Sequence, residues 1–239
     1  MVSTVLVTNW PTGIVRSCLH STSSGLAEDL WMPAGGRVWT GHSAVYMLVF
    51  PYLGACNRTD GRCTRLLDAN HVLFVSANEN YRETQPIAGI GHASPLMTSS
   101  SVVLEEIVGS RRALNQTFGV ICRPSSAGAR VAVQALLAQR QSAGRCSLEG
   151  AETIAVLLRS ACRSGSARWT TAASPPVERA KQFLHAHKTV RVSLEEIASA
   201  VGVSGAYLTS AFSAREGMSL CRYHLGLRLA RIARTASLP

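Results

Sequence analysis

Five residues in the first hundred are of types that bind metals or carry protons: His42, Cys56, Cys63, His71 and His92. A metal centre needs its ligands at close, repeated spacing. The His-x-His with a downstream Glu that would supply it is absent. Satisfied histidines of a core or a surface are the expectation, and neither a metal nor any other cofactor is called for. Cys56 and Cys63 flank the turn-type cluster 57–61 and could meet across a hairpin as a redox disulfide. Free thiols are the simpler reading, given seven scattered cysteines and no CxxC pair. His185 and His187 stand two apart on a helical pattern, so they point to different faces. No GxSxG, P-loop or glycine-rich dinucleotide fingerprint occurs, and no nucleophile–base pair can be assembled from local spacing. The sequence offers no catalytic site and does not read as an enzyme.

The chemistry it does offer is cationic. Lys+Arg number 24 against 14 Asp+Glu, a net charge of +10. Only Lys181 and Lys188 are lysines, so the charge is almost all guanidinium. That balance suits a polyanion such as nucleic acid. It is not confined to one end: residues 176–239 hold nine basic and four acidic groups, or +5, leaving +5 for the rest.

The elements that must position these groups divide in two. With 239 residues and 46% hydrophobic composition, the chain has enough material for about two domains of roughly 100–150 residues each. Its longest strongly apolar run, Ala44 to Phe50, is far short of the ~20 residues of a membrane-spanning helix. The N-terminus has no basic segment ahead of an apolar run, which points to a cytoplasmic protein without a membrane partner. Residues 37–85 read as short strands, among them Ala44 to Phe50, Arg65 to Leu67 and His71 to Val75, suggesting a small barrel or sandwich. From about residue 101 the period becomes helical, over Val102 to Ile107, Ala127 to Gln141 and Ser147 to Arg163. Residues 164–176 are rich in Ser, Ala and Thr and end in Pro-Pro, the pattern of a linker.

Beyond it the pattern is helical throughout. Val177 to Ala186 forms one helix. Ser193-Leu-Glu-Glu196 is a capping box, opening a helix with Leu194, Ile197, Ala198 and Val201 inward that stops at Gly202. Ser204 offers the next cap, for a helix with Leu208, Ala211 and Phe212 inward, ended by Gly217. Ser219 opens a long helix with Leu220, Tyr223 and Leu227 inward. Two short helices meeting at the turn Gly202-Val-Ser204 make a helix-turn-helix pattern.

The stretch SLEEIASAVGVSGAYLTSAFSAREGMSLCRYHLGLRLARIAR resembles the first helix-turn-helix and linker helix of the AraC/XylS transcription regulators. Leu194, Ile197, Ala198, Gly202, Ser204, Tyr207, Leu208, Phe212, Gly217, Tyr223, Arg228 and Ala230 match in order. CTRLLDANHVLFVSANENYR, residues 63–82, is similar to the cupin-type sensor domain of one branch of that family. Residues 86–100 depart from it. The fold class the resemblance implies is α+β and multidomain: a cupin-like β-barrel sensor over 1–100, a helical region over 101–163 suited to dimer contacts, the linker, and an all-α DNA-binding domain over 177–239.

Carried over by position, the helix from Ser204 to Arg215 would enter the major groove of double-stranded DNA, with Ala206, Thr209 and Ser210 at base edges. Lys188, Arg191, Arg215 and Arg222 are candidates for phosphate contacts. A small-molecule effector would sit in the barrel, against Tyr46, Leu48, Phe74, Glu79, Tyr81 and Arg82. The family's second helix-turn-helix is not found in the 22 residues after Gly217, so either the chain is truncated or one motif is used per subunit. The expectation is a transcription regulator, dimeric if one motif serves each subunit and meeting RNA polymerase if it activates, or else a dimerising sensor or modulator without autonomous DNA binding.

Overall fold

The strand pattern of residues 37–85 extends in both directions. The computed structural model describes residues 7–8, 13–22, 25–35, 38–60, 63–87, 89, 91–139, 147–163 and 174–235. Among them run strands β1 (Val7–Thr8), β2 (Val15–Thr22), β3 (Gly25–Met32), β4 (Trp39–Ser43), β5 (Tyr46–Val49), β6 (Ala55–Asp60), β7 (Cys63–Asp68), β8 (His71–Val75), β9 (Glu79–Thr84), β10 (His92–Ser99) and β11 (Cys122–Pro124). The helices are α1 (Ser101–Val108), α2 (Arg111–Phe118), α3 (Ala127–Ala138), α4 (Leu148–Arg163), α5 (Pro175–Ala186), α6 (Leu194–Val201), α7 (Gly205–Glu216) and α8 (Leu220–Thr235).

The strands pair antiparallel in two sheets, ordered β1-β4-β9-β6-β7 and β11-β8-β5-β10-β3-β2. The expected barrel is a sandwich instead. Among the described residues, ladder hydrogen bonds run within each sheet, and the edge strands of one sheet are not paired with those of the other.

Side-chain alternation gives the second sheet two buried faces. Ala27, Leu48, Val72, Phe74 and Met97 point outward into a core shared with Leu104, Leu114, Val133 and Leu157 of α1 to α4. Their neighbours Leu30, Met47, Val75 and Leu96 point inward and meet Trp39 and Tyr81 of the first sheet. The order is sheet, sheet, helices. The helical segment is therefore a layer on the sandwich, and β11 stitches it to β8. Serines open all four of its helices: Ser100, Ser110, Ser126 and Ser147 accept the backbone N–H groups of Val103, Ala113, Ala129 and Gly150.

Helices α5 to α8 enclose a core of their own, with Val177, Leu184, Ile197, Val201, Leu208, Phe212 and Tyr223 buried together. Of the expected linker, residues 164–173 lie outside the described residues. Its closing Pro175 and Pro176 are the first turn of α5, where a missing N–H costs nothing.

Candidate nucleic-acid interface and its buried seat

The turn between α6 and α7 is built by caps. Ser193 Oγ accepts the Glu196 N–H at 3.1 Å, and Glu196 Oε2 accepts the Ser193 N–H at 2.6 Å. These bonds hold the Glu196 carboxyl below its usual range. Gly202 ends α6 at φ 73°, a left-handed conformation that favours glycine. Ser204 Oγ then accepts the Tyr207 N–H at 3.2 Å to start α7. The two helices bend by 88° at this break. Ala198, Leu208 and Phe212 are buried inside the corner.

The outer face of α7 carries the residues expected at base edges. Ala206, Thr209 and Ser210 are all exposed, as is Ser213. Thr209 Oγ1 donates to Gly205 O at 2.9 Å, so toward a partner it presents its lone pairs. Tyr207, half-exposed on the same helix, escaped the sequence reading because its role there was only to match a pattern. Arg191 and Arg222 are exposed and Lys188 is half-buried.

Arg215 does not belong with them. It is 2% exposed, and its Nε and Nη2 donate to Glu178 Oε1 at 3.2 and 2.9 Å. It stands seven residues after Leu208 and three after Phe212, which puts it on the inner stripe of α7.

That pair is the rim of a buried polar cluster that seats the helices on the turn between β7 and β8. Asp68 is its centre. Oδ1 accepts from Asn70 N at 2.9 Å and from His71 Nδ1 at 3.1 Å, and Oδ2 from His185 Nε2 at 2.7 Å and from the Tyr223 hydroxyl. His71 Nε2 donates to Glu216 Oε2 at 2.9 Å. Lys181 Nζ donates to Leu66 O at 2.5 Å and to both Glu216 oxygens at 3.1 Å. Burial works against every ion here, and the partners outweigh it. Lys181 and His71 hold the Glu216 carboxyl down to about 2. Asp68, with His71 and His185 against it, stays well below the carboxylate range. For His71, burial and Lys181 oppose the imidazolium, but Asp68 and Glu216 hold it above its ordinary value. Burial and Asp68 keep the Tyr223 hydroxyl protonated.

The expected effector residues do not converge. Leu48 and Phe74 face the helical layer, where Tyr46 and Phe74 pack on Phe118. Tyr81 faces the other sheet, under the Arg58 guanidinium at 3.9 Å. Glu79 pairs with Arg58 at 2.9 Å, and Arg82 is exposed. Strand alternation separates them: even-numbered Leu48 and Phe74 share a face that Tyr81, on another sheet, never reaches. A crevice of ≈ 520 Å³ lies elsewhere, between β2, β3 and β10 and helices α1 and α4, lined by His20, Leu26, Met97, Ile107, Ile154 and Arg159 among others. His20 Nε2, buried there, has no hydrogen-bond partner.

No protein-family model matches this sequence, and no curated protein matches it. Solved structures of similar shape include a cupin superfamily protein from Desulfitobacterium hafniense DCB-2, at 13% identity and a TM-score of 0.33 over 39% of this chain and 83% of that one. The cupin domain of Schizosaccharomyces pombe Cnp3 has 18% identity and a TM-score of 0.34, over 40% and 67%. An RmlC-like cupin from Shewanella frigidimarina NCIMB 400 has 14% identity and a TM-score of 0.33, over 40% and 83%. The order β4-β9-β6-β7 against β8-β5-β10-β3 is a double-sheet jelly roll, the architecture of cupins. The N-terminal region is a cupin-like β-sandwich.

Inside the cupin-like sandwich the free Cys56 and the hydrogen-bonded His42 and His71 agree with the sequence expectation, while the expected turn at 57–61 does not. Residues 57–60 belong to β6 rather than to a turn, and Cys56 stands opposite Leu67 while Cys63 stands opposite Asp60. Cys56 is a free thiol. It lies beside Glu83 and His92, a group the sequence hides because its members come from three strands. His42 bonds to Asn80 at 2.9 Å and His71 belongs to the seat. Among the described residues, no single helix is long and apolar enough to cross a membrane.

Proposed function

We propose that the chain is a DNA-binding transcription regulator of the AraC type, in which α7 enters the major groove and the cupin-like sandwich senses a small molecule. The 88° corner of α6 and α7, closed by Gly202 and Ser204 and leaving Ala206, Thr209 and Ser210 outward, carries this reading. The effector's place is the crevice between the sandwich and α1 and α4. Its volume suits a drug-sized molecule, and its lining combines apolar side chains with the polar groups of His20, Thr22, Thr98, Ser99, Glu106 and Arg159. In this reading the chain is a binding protein and not an enzyme.

The test is selection from a random duplex pool, followed by salt titration of the selected site. A recovered motif that Thr209→Ala/Ser210→Ala weakens supports the reading. Binding that is unselective and lost at moderate salt overturns it. The withdrawal of Arg215 from the phosphate set favours one alternative, a modulator that dimerises with related regulators and does not bind DNA alone. That second result would support it.

A further inference from the structure

Three strands distant in sequence bring Cys56 on β6, Glu83 on β9 and His92 on β10 together between the sheets. Their sulfur, carboxylate and imidazole donor atoms all lie within 4.8 Å of one another. All three residues are buried, at 3%, 8% and 7% exposure. Beside them is a cavity of ≈ 30 Å³. Three atoms of its lining residues have no hydrogen-bond partner: His92 Nδ1, Ser94 Oγ and Arg58 Nε. Polar atoms orphaned in an interior are costly, and three around one cavity mark the place of something bound.

A water molecule would fit a cavity of this size, and it would answer the orphaned atoms but not the charge. The Arg58 guanidinium is bonded to two carboxylates, Glu79 at 2.9 Å and Glu83 at 3.0 Å. With the Cys56 thiol protonated, Arg58, Glu83 and the partly exposed Glu79 together carry one negative charge in excess. A divalent cation that displaces the thiol proton to solvent brings the sum to zero. The donor set of one sulfur, one nitrogen and one oxygen is that of zinc, with a fourth position for water. Tetrahedral zinc separates such donors by roughly 3.3–3.6 Å, from bond lengths of about 2.0–2.3 Å, so side-chain rotation of about an ångström completes the site. Burial lowers the His92 imidazole and, with Glu83 beside it, raises the Cys56 thiol, so the cation must displace a firmly held proton.

We propose that Cys56, Glu83 and His92 bind one zinc ion inside the sandwich. The site joins β6, β9 and β10, and hence both sheets, so metal binding would lock the sandwich together. It is independent of the DNA-binding reading.

The test uses tag-free protein, stripped with a chelator and titrated with Co(II), whose thiolate charge-transfer band reports cysteine ligation. One equivalent bound with that band, displaced by one equivalent of Zn(II), is the expected result. Cys56→Ser removes the band, and His92→Gln weakens binding at least about tenfold. Absence of the band in the unaltered protein overturns the proposal, and that measurement needs no variant to fold. A band that persists in Cys56→Ser overturns it too, by assigning the metal to another cysteine.

Discussion

Asn70, in the turn between β7 and β8, occupies with its Oδ1 the space where a Cβ on Gly226 of α8 would lie. Asn70 Nδ2 donates to Tyr223 O at 3.1 Å, one helical turn earlier, and Asn70 O accepts the Ser125 N–H at 2.7 Å. A glycine inside a helix costs about 1 kcal/mol relative to alanine. Here that cost permits the helix to touch the sandwich.

Gly226→Ala should therefore destabilise the protein by about 1–3 kcal/mol, although it improves helix propensity. Asn70→Ala in the same chain should recover part of the loss, since it removes the atom in the way. Urea denaturation of both single variants and the double variant measures the coupling. Additive losses would show that the contact does not hold α8 in place.

Lys181→Met should cost about 3–5 kcal/mol, because it leaves Glu216 buried with His71 as its remaining charged partner. The methionine fills the volume, so the loss reports the ion pair and not a void. A midpoint within error of the unaltered protein in urea would mean that the seat contributes nothing to stability.

The contribution of the buried cluster to stability should peak in mildly acidic solution. Glu216 titrates at about 2 in the fold against an ordinary 4.5, so its contribution is complete above about 4.5 and lost as the pH falls toward 2. Asp68, also depressed, acts in the same direction. His71 is raised from 6.5, so its contribution is complete below about 6.5 and lost as the pH rises through its elevated value. Thermal unfolding measured across the pH range should show these three contributions complete together between about 4.5 and 6.5, opposed there by His92, which burial lowers from 6.5 and which therefore takes stability away as the pH falls. His71→Gln should flatten the alkaline side and, because His71 helps to hold Glu216 and Asp68 down, make the acid side shallower as well.

On DNA, Arg191→Ala and Arg222→Ala should each lower the salt slope of binding by about one, the signature of a lost phosphate contact. Arg215→Ala should leave the slope unchanged and lower the unfolding midpoint instead, since its guanidinium is spent on Glu178. A slope change in Arg215→Ala would place that side chain at the phosphates after all.

The C-terminal helices were legible because their signals are local. Ser193 and Glu196 cap each other three residues apart, and Gly202 and Ser204 leave few other conformations for the turn. The charged residues of the seat were misread or passed over for the opposite reason. Lys181 is four residues after Val177, His185 is eight after it, and Arg215 is seven after Leu208, all on apolar stripes. Their place on the stripes argues for burial while their charge argues for solvent, and only partners distant in sequence resolve the conflict: Glu216 and Leu66 for Lys181, Asp68 for His185. Strands β2, β3 and β10 lack clean alternation because their sheet is covered on both faces over much of its length. Pro95 inside β10 further disguised it as a loop. The Cys56, Glu83 and His92 group had no local signal at all, since its spacing is set by the jelly-roll crossovers.

Strand β8 is only five residues long, yet it borders three compartments. Val72 and Phe74 are the floor of the helical layer, Val75 is part of the filling between the sheets, and His71 at its start holds the last residue of α7. A pleated strand of this length behaves as a short rigid bar. Any molecule that wedges the helical layer away from the sheet therefore tilts the same bar on which α7, the proposed DNA-binding helix, is pinned, and the displacement has less than 20 Å to travel, at about 3.3 Å per residue.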